Sequence, residues 1–237
     1  MPFARNGTGE ILVLWDVDHT LIETRGVGRA AFAIAFEQVT GRALEAMPHI
    51  TGRTEPDIYA ATTALHEISY PPPFPVFAGA LAAAYVKLQE RLREQGRVMP
   101  GAEQALNHLA TATGIRQSVL TGNTRRVTRT KLETFDLTKY LDLETAAYGD
   151  DDGYRPALVA IAQARAANRG GMFDQQNTVL IGDSVGDIET AREGGAHIIA
   201  IAAGGTDAAD LAVADIVLAD LTDPAGIEGA IRRLVQG

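Results

Sequence analysis

The stretch Glu-Ile-Leu-Val-Leu-Trp-Asp-Val-Asp-His-Thr-Leu-Ile, residues 10–22, decides how this chain folds. Its apolar run Ile11–Trp15 has the length and composition of a buried strand in a parallel sheet. Asp16 and Asp18 follow directly, with Thr20 close behind. Two carboxylates about 4 Å apart repel each other by roughly 4 kcal/mol at an effective dielectric near 20. Because ligands bind at the carboxyl ends of strands in open α/β sheets, this pair predicts a site that holds a cation or a proton.

Strand-like runs and helical patterns alternate through most of the chain. The predicted strands after the first are Ile115–Leu120, Leu141–Ala147, Thr178–Ile181, His197–Ala202 and Ile216–Leu218. The predicted helices between them are Ala102–Thr111, Arg125–Phe135, Ala157–Ala167 and Asp187–Gly194. This alternation predicts an α/β fold with a doubly wound, Rossmann-like parallel sheet.

The segment from Glu23 to Arg97 breaks this alternation, because its patterns indicate helices without clear strands. We therefore interpret residues 23–97 as an all-helical cap inserted into a catalytic core of residues 1–22 and 98–237. A cluster of prolines, which cannot continue a helix, separates two of the cap helices. We expect hinges at both ends of the cap and a loose lead-in over residues 1–9. The predicted cap helices are Gly28–Val39, Glu55–His66 and Phe77–Gln95.

Composition narrows the classes of function. The chain has 237 residues, 46% of them hydrophobic, which is enough for a substantial core. Its net charge of −9 argues against a general nucleic-acid binder, which would usually be basic. No segment approaches the ~20 apolar residues of a membrane helix, so we expect neither a membrane partner nor a secretory signal. The absence of cysteine excludes thiolate catalysis and cysteine metal sites, and it fits a cytoplasmic enzyme.

Three further stretches place polar residues at or just after predicted strand ends. In a parallel sheet these stretches converge with Asp16 and Asp18 on one edge. They are Thr121-Gly122-Asn123, the segment 149–156 with Arg155, and the segment 182–187 with Asp183 and Asp187.

This ordered set of motifs resembles the haloacid dehalogenase-like (HAD) hydrolase superfamily. Within it, the layout is similar to the phosphoglycolate-phosphatase-like members that carry a helical C1-type cap. The resemblance spans nearly the whole chain and rests on Asp-x-Asp-x-Thr at 16–20, Thr-Gly-Asn at 121–123 and Gly-Asp-x-x-x-Asp at 182–187. It implies a phosphatase that hydrolyses a phosphoric monoester, with a small phosphorylated metabolite as its partner.

The resemblance also assigns roles to single residues. It implies that Asp16 attacks phosphorus and forms an aspartyl-phosphate. It implies that Asp18 protonates the leaving oxygen and then activates the water that hydrolyses the intermediate. The implied phosphate-binding residues are Thr121, Gly122, Asn123 and Arg155.

A Mg²⁺ cofactor is implied as well, since carboxylates, a carbonyl, waters and phosphate oxygens form the shell that this hard cation prefers. Asp187 could instead simply cap its helix. The implied metal ligands are Asp16, Asp18 through its backbone carbonyl, Asp183 and Asp187.

Four residues depart from the family pattern or leave alternatives open. Arg155 stands where the family most often has lysine, and it is either a working substitution or a solvated residue at a helix start. Arg53 in the cap either reaches a substrate anion or forms a surface salt bridge. His19 either contacts the leaving group or is incidental, and Lys131 either faces the phosphate side or lies on a solvated helix face.

Several functions compete with a Mg²⁺-dependent phosphatase. A phosphosugar mutase of the same superfamily would share Asp16 and Asp18 but return the phosphoryl group to a sugar. A dehalogenase or a phosphonate hydrolase is disfavoured because those relatives lack the second acid. A nucleotide-sugar transferase would not need Thr121 or Asp183, and the intact acid pair argues against a non-enzymatic binding module. The sequence leaves the substrate and the oligomeric state unknown.

Overall fold

The computed structural model of the chain describes residues 10–236. The lead-in expected at residues 1–9 lies outside the described residues. The described part of the chain contains eight strands: β1 (Ile11–Trp15), β2 (Ile22–Glu23), β3 (Arg97–Val98), β4 (Ile115–Thr121), β5 (Ala147–Tyr148), β6 (Thr178–Gly182), β7 (His197–Ile201) and β8 (Ile216–Leu218). Six of them form one parallel sheet in the order β5-β4-β1-β6-β7-β8. The predicted α/β architecture is confirmed.

Residues 10–236 contain ten α-helices. They are α1 (Val27–Thr40), α2 (Glu55–Leu65), α3 (Phe74–Lys87), α4 (Gln89–Gln95), α5 (Ala102–Thr111), α6 (Arg125–Thr134), α7 (Ala157–Ala167), α8 (Val185–Gly194), α9 (Ala208–Leu211) and α10 (Pro224–Gln236). None of these helices, within residues 10–236, is both long and apolar enough to cross a membrane.

Strand β1 lies at the centre of the sheet, and all five of its side chains are buried. Because side chains alternate along a strand, its odd-numbered residues enter one apolar core and its even-numbered residues the other. Helices α5 and α10 cover the first face, and α7 and α8 cover the second. The end of β1 is therefore fixed from both sides.

Trp15, the only tryptophan of the chain, is the last residue of β1 and is fully buried. Its indole nitrogen donates a hydrogen bond of 3.0 Å to Gln117 Oε1 on β4. The Gln117 amide in turn donates to the backbone carbonyl of Leu106 at 2.9 Å. These two hydrogen bonds connect the end of β1, directly before Asp16, to β4 and to α5.

Two predicted elements are wrong in part. The strand predicted at Leu141–Ala147 pairs only from Ala147 onward, because Asp142 initiates a turn in which its carboxylate accepts from the Glu144 amide at 3.2 Å. The long helix predicted at Phe77–Gln95 begins earlier, at Phe74. It is interrupted at Leu88, whose φ of −96° and ψ of 9° are not helical.

Helices α1 to α4 pack around an apolar cluster of their own, in which Phe32, Phe36, Tyr59 and Phe77 stack or tilt against one another. Two antiparallel strands, β2 and β3, connect this helical unit to the sheet. Val127 of α6 also belongs to the cluster, so the helical unit rests directly on the sheet unit. The division into a core of 1–22 and 98–237 and a cap of 23–97 stays our interpretation.

Candidate active site

The register of the central strands brings the first and last acidic motifs together. Trp15 on β1 lies opposite Ile181 on β6, and the Asp16 amide donates to the Ile181 carbonyl at 2.9 Å. Asp16 and Asp183, which are 167 positions apart in the numbering, therefore leave neighbouring strands at the same sheet edge. Thr20 holds Asp183 in place with a hydroxyl hydrogen bond of 3.0 Å to Oδ1.

Asp16, Asp183 and Asp187 form a buried acidic cluster. One carboxylate oxygen from each lies within 4.8 Å of the other two. Burial, together with the neighbouring Asp187, raises the pKa of Asp16 well above its ordinary value. The same two causes raise the pKa of Asp183 to about 7. The cluster therefore needs positive charge if all its members are to ionise at neutral pH.

Arg155 supplies one such charge to the cluster. Its Nη2 donates to Asp16 Oδ1 at 2.8 Å and to Asp187 Oδ1 at 2.6 Å. The side chain is only 7% exposed, so it is not the solvated residue of the alternative interpretation. Its Nε and Nη1 atoms are buried without a hydrogen-bond partner among the described residues. A buried N–H donor without an acceptor costs free energy, and oxygen atoms of a ligand could accept hydrogen bonds from these two atoms.

The charges of this cluster match a divalent cation. Three carboxylates against one guanidinium leave a formal charge of −2 when all four groups are ionised. The donors are all hard oxygen atoms, which Mg²⁺ prefers to nitrogen or sulfur ligands. The donor set therefore fits a magnesium ion, with Asp16, Asp183 and Asp187 as the side chains that would hold it.

Asp187 also has the capping role that the sequence left open. Ser184 and Asp187 form a reciprocal capping box at the start of α8, in which the Ser184 amide donates to Asp187 Oδ2 at 3.0 Å. Its other oxygen accepts from Arg155. The helix thus begins two residues before the predicted start, and capping fixes the carboxylate that faces the cluster.

The carboxylate of Asp18 stands apart from the acidic cluster, in a network with two residues of the neighbouring segment. Lys131 Nζ donates to both of its oxygens, at 2.8 and 2.7 Å, and Asn123 Nδ2 donates to Oδ2 at 2.6 Å. Lys131 is 2% exposed, so it is not on a solvated helix face. Burial alone would raise the pKa of Asp18, but Lys131 and Asn123 together lower it. Metal binding through the Asp18 backbone carbonyl stays a prediction.

The Thr-Gly-Asn segment ends β4 directly beside this network. The Asn123 side chain also donates to Thr121 Oγ1 at 2.8 Å and accepts from Lys131 at 2.8 Å. Thr121 and Asn123 are both buried. Gly122 leaves no room for a side chain, since a Cβ atom there would lie 2.1 Å from the Arg53 carbonyl oxygen. The structure brings all three residues to the site, and their phosphate-binding role stays a prediction.

Glu55, the first residue of α2, is a site residue that sequence reasoning missed. It is buried, and its carboxylate accepts from the Thr124 amide at 2.8 Å, where α6 is about to begin. Its own amide donates to the Gly122 carbonyl at 2.7 Å. Burial raises the pKa of Glu55 to about 7, although Lys131 opposes this shift. An acidic residue in a first helical turn is common, so no sequence signal separated this buried carboxylate from an exposed one.

The cap segment 50–54 touches the core backbone at two glycines. Cβ atoms built on Gly52 and Gly186 would lie 2.7 and 2.4 Å from the Cα atom of the other residue. Gly52 also has a φ of +74°, which favours glycine. The helical unit is therefore closed over the strand ends, and this closure depends on backbone-to-backbone contact.

Arg53 shows the salt bridge that the sequence offered as its alternative role. Its guanidinium binds Asp57 through Nε at 2.5 Å and Nη2 at 2.8 Å, and Nη1 donates to the His49 carbonyl at 3.1 Å. The residue also lines the cavity described below. A contact with substrate stays a prediction.

A cavity of about 440 Å³ lies between the helical unit and the sheet edge. Small-molecule sites are typically ~300–1,000 Å³, so it suits a small organic ligand better than a bare ion. Its floor includes Asp16, Asp18 and Asp183, and its roof comes from α1, α2 and the 50–54 segment. His19 lines it too, with a positive φ of 64°.

Comparison with known proteins identifies one matching family and many solved structures that share the same fold. A family model described as haloacid dehalogenase-like hydrolase matches residues 13–192. A search of curated proteins found no match. A hydrolase from Pseudomonas syringae superposes with a TM-score of 0.69 at 20% identity, covering 94% of this chain and 99% of that one.

Two structures of CbbY from Rhodobacter sphaeroides superpose comparably, each at 20% identity. The complex with phosphate has a TM-score of 0.67, and a mutant in complex with xylulose-(1,5)bisphosphate has a TM-score of 0.68. Both comparisons cover 90% of this chain and 96% of the other. At this identity the likeness establishes a shared fold.

Proposed function

Because this chain belongs to the haloacid dehalogenase-like hydrolase family, we propose that it is a Mg²⁺-dependent phosphatase for a small organic phosphate monoester. The observation that carries the proposal is the buried cluster of Asp16, Asp183 and Asp187, which is paired with Arg155 and lies at the cavity between the helical unit and the sheet edge. Bound Mg²⁺ would offset the charge repulsion between this acidic cluster and an anionic phosphoryl group. The CbbY complexes with phosphate and a sugar bisphosphate point to the same class of ligand.

In the proposed reaction, an Asp16 carboxylate oxygen attacks phosphorus and the bond from phosphorus to the ester oxygen breaks. Asp18 gives its proton to that leaving oxygen, so that an alcohol departs and an aspartyl-phosphate remains. Asp18 then accepts a proton from water, which attacks the phosphorus, releases phosphate and restores Asp16. Arg155 holds Asp16, and its unpaired N–H groups are donors for the phosphoryl oxygens.

The hydrogen bonds that Asp18 accepts from Lys131 and Asn123 affect these two steps differently. A lowered pKa favours the ionised form of Asp18, which is the form that accepts a proton from water. Delivery of a proton in the first step requires the protonated form of Asp18. Exclusion of bulk water when the helical unit closes over the substrate would let Asp18 keep that proton until attack.

The test is hydrolysis of a generic aryl phosphate by the pure protein, with Mg²⁺ and with excess chelator. We expect inorganic phosphate release that depends on Mg²⁺, and activity that persists under strong chelation would contradict the metal-assisted reaction. With a sugar phosphate as the substrate, release of phosphate without an isomerised product distinguishes the phosphatase from a phosphosugar mutase. A cytoplasmic location and the lack of nucleic-acid or membrane partners remain expectations from the sequence.

A further inference from the structure

Glu55 of the helical unit binds a short backbone segment of the sheet unit at two points. Its amide donates to the Gly122 carbonyl at 2.7 Å, and its carboxylate accepts from the Thr124 amide at 2.8 Å. These two partners lie on either side of Asn123 in the sequence. One residue at the start of α2 therefore holds the backbone both before and after Asn123.

The side chain of Asn123 continues this connection to Asp18. Its Nδ2 donates to Asp18 Oδ2 at 2.6 Å, and its Oδ1 accepts from Lys131 Nζ at 2.8 Å. Lys131 itself donates to both Asp18 oxygens. Because Asn123 is buried and its side chain is bonded through both polar atoms, a shift of its backbone would move the amide group that orients the Asp18 carboxylate.

The contacts of Glu55 cross between two separate units of the fold. Glu55 begins α2 of the helical unit, whereas Thr124 directly precedes α6 beside the sheet. Thr54, the residue before Glu55, crosses at the same place, since its hydroxyl donates to the Gly153 carbonyl at 2.9 Å. Separation of the two units would break these bonds. The orientation of the Asp18 carboxylate therefore depends on docking of the helical unit.

The bond from the Thr124 amide to Glu55 needs an oxygen acceptor at a fixed distance from the α2 backbone. A carboxylate, a protonated carboxyl and a carboxamide all present such an oxygen. A negative charge is not needed for this contact. The requirement separates a positioning role of Glu55 from a role that acts through its charge on Lys131.

We propose that Glu55 is a positioning residue for the proton transfer by Asp18. It holds residues 122–124 so that Asn123 orients the Asp18 carboxyl towards the leaving oxygen while the helical unit is docked. This inference rests on the proposed phosphatase function and adds to it a residue that acts without touching the substrate. In the first step the proton of Asp18 goes to the leaving oxygen, so misorientation of Asp18 affects most those substrates whose leaving group needs that proton.

The test compares kcat/KM for phenyl phosphate and for 4-nitrophenyl phosphate. This parameter reports the steps up to departure of the alcohol, and 4-nitrophenolate is a weak base that departs with little protonation. We expect Glu55→Ala to lower kcat/KM for phenyl phosphate about tenfold more than kcat/KM for 4-nitrophenyl phosphate. A general structural defect would lower both values equally.

Two conservative variants separate position from charge. Glu55→Gln keeps the length and the oxygen acceptor, so it should retain the wild-type ratio of the two kcat/KM values. Glu55→Asp keeps the charge but withdraws the oxygen from the Thr124 amide, so it should resemble Glu55→Ala. Glu37→Ala removes an exposed carboxylate from α1 of the same helical unit and serves as the control, with an unchanged ratio.

Hydrogen exchange of the Thr124 amide, followed by NMR, gives a measurement that does not depend on turnover. Loss of the hydrogen bond in Glu55→Ala should accelerate this exchange about tenfold, whereas Glu55→Gln should stay near the wild-type rate. Unchanged exchange in the folded alanine variant would overturn the proposal, because the bond would then not hold the segment.

The kinetic outcomes are equally decisive. Equal losses for both aryl phosphates in Glu55→Ala would overturn the positioning role, and so would a glutamine variant that fails as the alanine variant does. Phosphate release by the wild type separates the two proposals. Release with a ratio that the alanine and aspartate variants leave unchanged removes only the role of Glu55, whereas no release by the wild type removes the phosphatase and the reaction that Glu55 would serve.

Discussion

Asp16 lies among two other carboxylates and one guanidinium, and burial raises the pKa of its carboxyl. A nucleophilic carboxylate must be ionised, so the chain has to supply positive charge at this point. Arg155 provides one charge and touches two of the three acids. A divalent cation would balance the remaining formal charge of −2, which explains why a folded protein accepts such a cluster.

Asp16→Asn should lower the turnover of an aryl phosphate by several orders of magnitude, because the amide cannot act as the nucleophile. Steady-state phosphate release measures this. Asp210→Asn, which neutralises an exposed acid on α9, serves as the charge-matched control. Near-normal turnover in the Asp16 variant would refute the assignment of the nucleophile.

Lys131→Met should slow hydrolysis of the aspartyl-phosphate, the step in which ionised Asp18 acts as the base, by roughly 10- to 100-fold and shift the acid limb of the pH–rate profile of that step to higher pH. The reason is that Lys131 holds the pKa of Asp18 down, and without it the carboxyl stays protonated to higher pH. Lys131→Arg keeps the positive charge and should restore most of the wild-type profile. A profile for the methionine variant that coincides with wild type would show that Lys131 does not act on Asp18.

The sequence motifs predict which residues lie together in the site, but only for residues that come directly after the end of a strand. Asp16, Asp183 and Arg155 belong to stretches that a parallel sheet must bring to one edge, so their convergence follows from topology. The sequence leaves two positions open for Lys131, facing the phosphate side or on a solvated helix face, because Lys131 lies within a basic helix whose other cations are more exposed. No sequence pattern identifies Glu55 as a site residue, because its burial depends on how the helical unit packs on the sheet.

At the scale of elements, the contact between segment 50–54 and α8 depends on two facing glycines. Gly52 and Gly186 approach so closely that neither position has space for a Cβ atom. A loop and a helix start can meet in this way only when both lack side chains. This contact therefore depends on the absence of two side chains, and the nearby approach of the Arg53 carbonyl to Gly122 depends on the absence of a third.

Gly186→Ala should lower kcat/KM for phosphate monoesters by about tenfold or more, because the added methyl separates segment 50–54 from the core. The free energy of unfolding should not fall comparably, since alanine favours a helix over glycine by up to about 1 kcal/mol. Gly79→Ala in α3 is the control, because a Cβ atom there meets nothing within 4 Å. Unchanged kinetics in the Gly186 variant would mean that this contact is dispensable for catalysis.

Elements with long periodic patterns were predicted well, and short ones were not. The central strand β1 has five apolar residues, and its structure matches the prediction. Strands β2 and β3 have only two residues each, too few for any alternation to show in the sequence. The predicted strand at Leu141–Ala147 was apolar enough, but the local turn at Asp142 satisfies the backbone in another way.

Across the whole molecule, the acidic cluster couples stability to pH and to metal. The pKa of Asp183 rises from its ordinary 3.8 to about 7 in the folded state, mainly through burial. Between these values the folded chain binds more protons than the unfolded chain, so the free energy of unfolding falls as pH rises. Glu55 acts in the same direction, since its pKa rises from 4.5 to about 7.

Mg²⁺ should therefore stabilise the chain more at about pH 8 than at about pH 5, because a cation binds the ionised carboxylates and competes with protons. Chemical denaturation at both pH values, with Mg²⁺ and with chelator, measures the two increments. Asp183→Asn should reduce the increment at the higher pH. An increment that is equal at both pH values, or larger in acid, would argue against a carboxylate site.

Trp15 gives the protein an internal optical reporter. Its indole is the only one in the chain, it is shielded from water, and it immediately precedes the residue proposed to attack phosphorus. Its fluorescence emission should lie at the short wavelengths of an apolar environment and move to the red when the sheet unfolds. Motion of the helical unit alone leaves the indole covered, so tryptophan emission can follow core unfolding separately from opening of the cavity.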